Sequence, residues 1–164
     1  MRKEYILTAV RREIKKQEVY MEYRKFDSTY YVRCDRGDEI IGRLLEVCEA
    51  EGIKSAVFSG IGGCSGAEIM TFDPEKGAFD VQRLDGMLEL VSLNGNVVTG
   101  DGGLYHHTHA LFSYQTNGEH KASGGHLKSA VVLYTAEIEL RPVTGGVIGR
   151  KPDRETGTGF WSFD

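Results

Sequence analysis

Two periodicities run along the chain, one confined to a single segment and the other recurring almost to the end. In "RGDEIIGRLLEVCEAEGI" the apolar residues Ile40, Ile41, Leu44, Leu45 and Cys48 return every three to four positions, the spacing that lays one helix face on a core. Asp38 stands where an N-cap side chain accepts the first free amides, and Gly52 where a helix ends in the left-handed conformation. Beyond it the pattern shifts to period two, rich in β-branched and aromatic residues. "KSAVFSG", "AEIMTFD", "AFDVQRL", "LELVSLNGNVV", "LYHHTHALFSY" and "AVVLYTAEIEL" read as strands, with "GIGG" a loop, "DPEKG" a turn and "TGFWSFD" a last strand closing the sheet. Upstream, "VYMEYRKF" and "TYYVRC" read as two further strands. Residues 5 to 16, with Ile6, Val10 and Ile14, are expected as a short amphipathic helix within an N-terminal extension, 1–18, ahead of one domain, 19–164. Many strands with one strong helix predict an α+β class, a largely antiparallel or mixed β-sheet packed with helix.

Composition narrows this picture in three ways. A chain of 164 residues, 40% hydrophobic and 27% charged, buries an ordinary core without needing a disulfide or metal staple. Its 21 glycines come with only three prolines, a ratio that suits turns and bulges of a β-rich fold rather than low complexity. The first eighteen residues lack the apolar run of a secretory signal and no stretch approaches a membrane span, so the cytoplasm is the expected location. Cys34, Cys48 and Cys64 are odd in number and form no CxxC pair, which fits reduced, buried thiols.

Charge bears on partners. The net value is −4, against the basic face that a domain gripping duplex DNA through its phosphates normally carries. Arg11, Arg12, Lys15 and Lys16 form a local basic cluster, which on a helix reads as a solvated face. "SGIGG" lacks the spacing of a phosphate loop and leads into a strand instead of a helix. Cys64 has no adjacent base that would make it a nucleophile.

The concentrated chemistry lies in "HHTHALFSYQTNGEHKASGGH", which holds all five histidines of the chain. Asn117-Gly118 is the strongest two-residue signal for a β-hairpin. A turn centred there pairs Thr116 with Glu119 and, counting outward, His109 with His126. Facing residues of an antiparallel pair share one side of the sheet, and His107, two positions before His109, shares it too. Three neutral imidazoles at one point suit a zinc-like ion, bound at about 2.0–2.1 Å with one position open. His106 alternates to the opposite face and His120 sits near the turn, so neither is expected as a ligand. A bulge at Gly124-Gly125 would turn His126 away; equally, those glycines can bring the backbone close to the ion. Cupins also use His-x-His on a strand, but Phe112, Ser113 and Tyr114 stand where their glutamate belongs.

"GIKSAVFSGIGGCSGAEIMTFDPEKG", "GMLELVSLNGNV", "HTHALFSYQTNGEHKASGGHL" and "TAEIEL" resemble, in this order and spacing, the PPC (plants and prokaryotes conserved) domain, most strongly over residues 30–140. The resemblance implies a compact α+β domain that assembles as a homotrimer. It also implies a bound metal, zinc, at the His-x-His and Gly-Gly-His elements, hence at His107, His109 and His126. Plant members join the domain to an AT-hook, an Arg-Gly-Arg-Pro segment that enters the minor groove. Here "GRKP" at residues 149 to 152 lacks the Arg-Gly-Arg order and is followed by Asp153 and Glu155, so it reads as a turn before the last strand. The Gly-Arg-Phe-Glu-Ile-Leu-like partner segment of plant members is matched by residues 86–91, with Met87 in place of arginine, and reads as a core strand.

Two functions follow as expectations. One is a metal-bearing homotrimer of regulatory or DNA-binding type, with a small molecule able to reach the metal and with direct DNA binding weak. The other is a metal-dependent enzyme whose open position activates water or polarises a carbonyl. The latter needs a general base, for which Glu119, Asp101 and Glu89 are the candidates.

Overall fold

The computed structural model describes residues 22–154 and 158–163, so the helix expected over 5–16 lies outside the described residues. Eight strands and one helix follow in order. They are β1 (Glu22–Phe26), β2 (Thr29–Asp35), α1 (Ile40–Ala50), β3 (Ala56–Asp73), β4 (Ala78–Gly100), β5 (Gly103–Thr116), β6 (Glu119–Pro142), β7 (Gly149–Pro152) and β8 (Gly159–Ser162). All pairings are antiparallel except the parallel bridge of β7 to β4 at Thr99 and Gly149, so the sheet is mixed. The fold is therefore mostly β, with a single helix among the described residues, rather than a balanced α+β arrangement.

Its central feature is a ring. β3 pairs with β4 and with β6, and β5 also pairs with β4 and with β6, so four long strands close on one another. β1 and β2 extend the β6 side, while β7 and β8 extend the β4 side. The inner face holds Cys64, Ile69, Leu84, Leu88, Leu90, Phe112, Leu127 and Val132, all buried. Fully burying each such leucine or phenylalanine side chain is worth about 1.5–3 kcal/mol.

The helix lies on β6 and β2 and buries Ile40, Ile41, Leu44, Val47 and Cys48, the face its period announced. Its N-cap is Glu39, one residue later than expected, with the carboxylate accepting from the amides of Ile41 and Gly42. Asp38 is drawn elsewhere. It is buried, accepts from Asp35 N at 2.8 Å, and takes Nε and Nη2 of Arg43 at 3.0 and 2.8 Å. A buried carboxylate needs such a partner more than a helix end needs one particular cap. Gly52, at φ +65°, ends the helix as expected.

Three expectations change. "GIGG" is no loop but the middle of β3, which runs unbroken through bulges at Gly60/Gly62 and Cys64/Gly66. Its glycines serve close strand approach: a Cβ on Gly60 would lie 2.7 Å from Glu137 O, and one on Gly62 2.7 Å from Thr135 O. "AFDVQRL" and "LELVSLNGNVV" are one strand, β4, bent at Gly86 with φ +99°. "GRKP" is not a turn but β7, and the last strand, β8, pairs with it in a hairpin on the β4 side. Leu88 and Leu90 of residues 86–91 enter the core as expected, while Met87 and Val91 face outward and are exposed.

The three cysteines are free and buried, and burial pushes the Cys34 and Cys48 thiols up to about 12 and Cys64 to about 11. Among the described residues no helix is long and apolar enough to cross a membrane.

Gly62→Ala is expected to cost about 1–3 kcal/mol through overpacking against β6. Gly102→Ala, where an added Cβ meets nothing within 4 Å, should stay within about 0.5 kcal/mol of the parent in urea denaturation. Equal midpoints for the two variants would refute the close-approach role of Gly62.

Candidate metal centre

The hairpin forms at Asn117-Gly118, whose φ values of 53° and 78° suit a tight turn of primed type. Register runs without interruption from Thr116↔Glu119 to His109↔His126. No bulge occurs at Gly124-Gly125. These glycines instead let β6 fit between two neighbours: a Cβ on Gly124 would lie 2.8 Å from Ala110 O of β5, and one on Gly125 2.6 Å from Met70 O of β3.

His107, His109 and His126 come together on the outer face, with one ring nitrogen of each within 4.8 Å of the others. The ring centroids of His109 and His126 are 4.3 Å apart, those of His107 and His126 5.0 Å, and those of His107 and His109 5.2 Å. Tetrahedral bonds of about 2.0–2.1 Å put ligand nitrogens about 3.3 Å apart. Small side-chain rotations of the two exposed rings cover that difference, so this donor set fits a zinc-like ion.

The electrostatics favour neutral rings. Burial, then His109, Arg150 and His106, lowers the pKa of His107 below its ordinary value; burial, then His109 and His107, lowers that of His126. Neutral imidazole is the ligating form.

His106 and His120 stay out of the cluster. His106 faces the other side of β5, where its Nδ1 lies 3.0 Å from Thr108 Oγ1, and burial lowers its pKa. His120 shares the face of His126 but pairs with Gln115, six residues up β6, about 20 Å away at strand rise. The three carboxylates named as candidate bases lie apart from one another. Glu119 is at the hairpin end opposite Thr116, Asp101 is in the turn between β4 and β5, and Glu89 pairs with Gly63 and Ser113.

Several neighbours escaped the sequence reading. Asn94 and Asn96 of β4 sit opposite His109 and His107. Phe79 meets His126 edge-on at 5.3 Å, and Trp161 Nε1 donates to Asn96 Oδ1 at 3.3 Å. Tyr105 shares the face of His107 by strand alternation, a signal that the period of two did contain. Arg150 lies with its guanidinium carbon 3.5 Å from the Tyr105 ring centroid, a contact across 45 residues that no local pattern announces.

The profile of the Plants and Prokaryotes Conserved (PCC) domain matches residues 21–144. The chain belongs to the PCC family. No curated protein sequence matches it. Among solved structures, the PPC protein of Pyrococcus horikoshii is 33% identical, with 90% of this chain and 97% of that one covered and a TM-score of 0.73. A metal-containing protein of Archaeoglobus fulgidus is 31% identical over 90% of this PCC chain and 99% of its own, with a TM-score of 0.73. A Bacteroides thetaiotaomicron structure described as a "putative dna binding protein" is 25% identical over 87% and 97%, with a TM-score of 0.80. β7 and β8 lie beyond the matched residues of the PCC domain.

Proposed function

We propose that this PCC protein is a homotrimeric cytoplasmic protein of regulatory type. In this reading it carries one zinc-like divalent ion per chain on His107, His109 and His126, with a further position open to a small ligand. The observation that carries this reading is the convergence of three imidazoles on one face with their nitrogens within 4.8 Å. The metal-containing relative from Archaeoglobus fulgidus supports it. The ion would supply Lewis acidity, and the chain supplies the neutral rings that hold it. Catalysis finds less support than binding, because none of Glu89, Asp101 and Glu119 pairs across strands with His107, His109 or His126. Buried thiols without disulfides favour a reducing compartment.

Trimer formation is supported by the family resemblance and by a second outward face. There Tyr31, Ile61 and Val91 line a groove with Glu137 and Glu139, and the three apolar side chains are 45%, 58% and 49% exposed. Apolar side chains gathered on one outward face suit contact with another subunit.

The DNA-binding description of the Bacteroides neighbour comes to this chain only in weakened form. A minor-groove segment must be free to extend, whereas residues 149–152 are paired with β8 and Arg150 is stacked on Tyr105. Net charge of −4 adds no general attraction for phosphates.

Three measurements test these readings. Elemental analysis after zinc reconstitution should give about one ion per chain; His107→Ala, His109→Ala or His126→Ala should abolish stoichiometric uptake, while His106→Ala and His120→Ala should retain it. An equal loss from His120→Ala would contradict the ligand set. Sedimentation in dilute buffer should return three times the chain mass, and a monomer across micromolar concentrations rules the trimer out. Fluorescence anisotropy with random and A·T-rich duplexes should show no submicromolar binding at physiological salt.

A further inference from the structure

The hairpin of β7 and β8 is anchored beside the histidine cluster. Thr99 N donates to Ile148 O at 3.3 Å, Thr99 bridges Gly149, and Trp161 reaches Asn96, the residue opposite His107. This brings Arg150 over Tyr105, two residues from His107 on the same face. The arginine side chain passes over Gly159, where an added Cβ would collide with its Nε. A guanidinium stacked on a ring keeps its in-plane N–H donors for another partner. Among the described residues no carboxylate forms an ion pair with Arg150.

A fixed cation beside a cluster that takes a dication is repulsive unless an anion lies between them. Arginine's fork matches a carboxylate with two parallel hydrogen bonds. Tyr105 seats the guanidinium, and Trp161, the register partner of Arg150 and 48% exposed, adds an apolar wall for the rest of a small molecule. We infer that Arg150, Tyr105 and Trp161 form a recognition site for a small carboxylate with a compact apolar body, bound beside the histidine cluster. This deepens the metal reading, on which it rests for the second pole of attraction. It also assigns ligand choice to a segment outside the matched domain.

The test uses the full chain loaded with zinc and benzoate as the probe. Zinc content is read by elemental analysis, affinity by calorimetry, and hairpin seating by the emission of Trp161, the sole tryptophan. Arg150→Met should weaken benzoate at least tenfold with zinc content and resting emission unchanged, and Arg150→Lys should fall between it and the parent. If Arg150→Met shifts the resting emission, Arg150→Lys with unshifted emission decides. Equal affinities in parent and seated variant, or no benzoate binding by the parent, overturn the site. Inorganic phosphate binding more tightly than benzoate through Arg150 overturns the carboxylate assignment. If the parent takes up no zinc, the metal reading fails separately, and the same titration of the zinc-free protein decides this one: an Arg150-dependent signal upholds the site and its absence overturns it.

Discussion

Residue 126 is where β6 changes neighbours, and the architecture depends on that exchange. Before it, β6 pairs with β5; from it onward, β6 pairs with β3, and at His126 it is bonded on both sides, to His109 and to Met70. Just before that residue, both neighbouring strands come closer to β6 than a side chain would allow. Gly124 and Gly125 provide that gap, one against a carbonyl of β5 and the other against a carbonyl of β3. The same step closes the ring and delivers His126 to His109. Fold and candidate site thus share one steric requirement.

Strand alternation then separates chemistry from packing on β5. Ala110 and Phe112 point into the core with Thr108, while Tyr105, His107 and His109 point out. Every outward position gains a cross-strand partner on β4, which is how Asn94 and Asn96 come to flank the histidines. The C-terminal hairpin, anchored to β4, completes the surroundings with Arg150 and Trp161. The outer face is therefore assembled from segments far apart in the chain, on a scaffold whose inner face is mostly apolar.

The helix, the Asn117-Gly118 turn and the pairing of His109 with His126 were legible because each depends on neighbours within about twenty residues. A 3.6 period, an obligatory turn dipeptide and simple counting suffice for them. Glycine misled where its role was steric. Gly60 and Gly62 suggested a loop by composition, yet they are strand positions whose missing Cβ admits β6. The cap at Glu39 was masked by Asp38, a better capping residue on intrinsic grounds that is claimed by Arg43. The β7 strand and the Arg150–Tyr105 stack depend on where the C-terminal segment lands, which local patterning does not encode.

The ring also sets an order of events in time. β6 supplies the partner edge for β2, β3 and β5, and it reaches back from Pro142 to Ala56. Contacts so distant in sequence form slowly, since the intervening chain must give up its freedom before any pairing rewards it. On the ribosome, β2 and β3 must wait with open edges until residues near 142 have emerged. The chain therefore passes through a stage in which β2 and β3 present unpaired edges, and it is most open to edge-to-edge association in that interval.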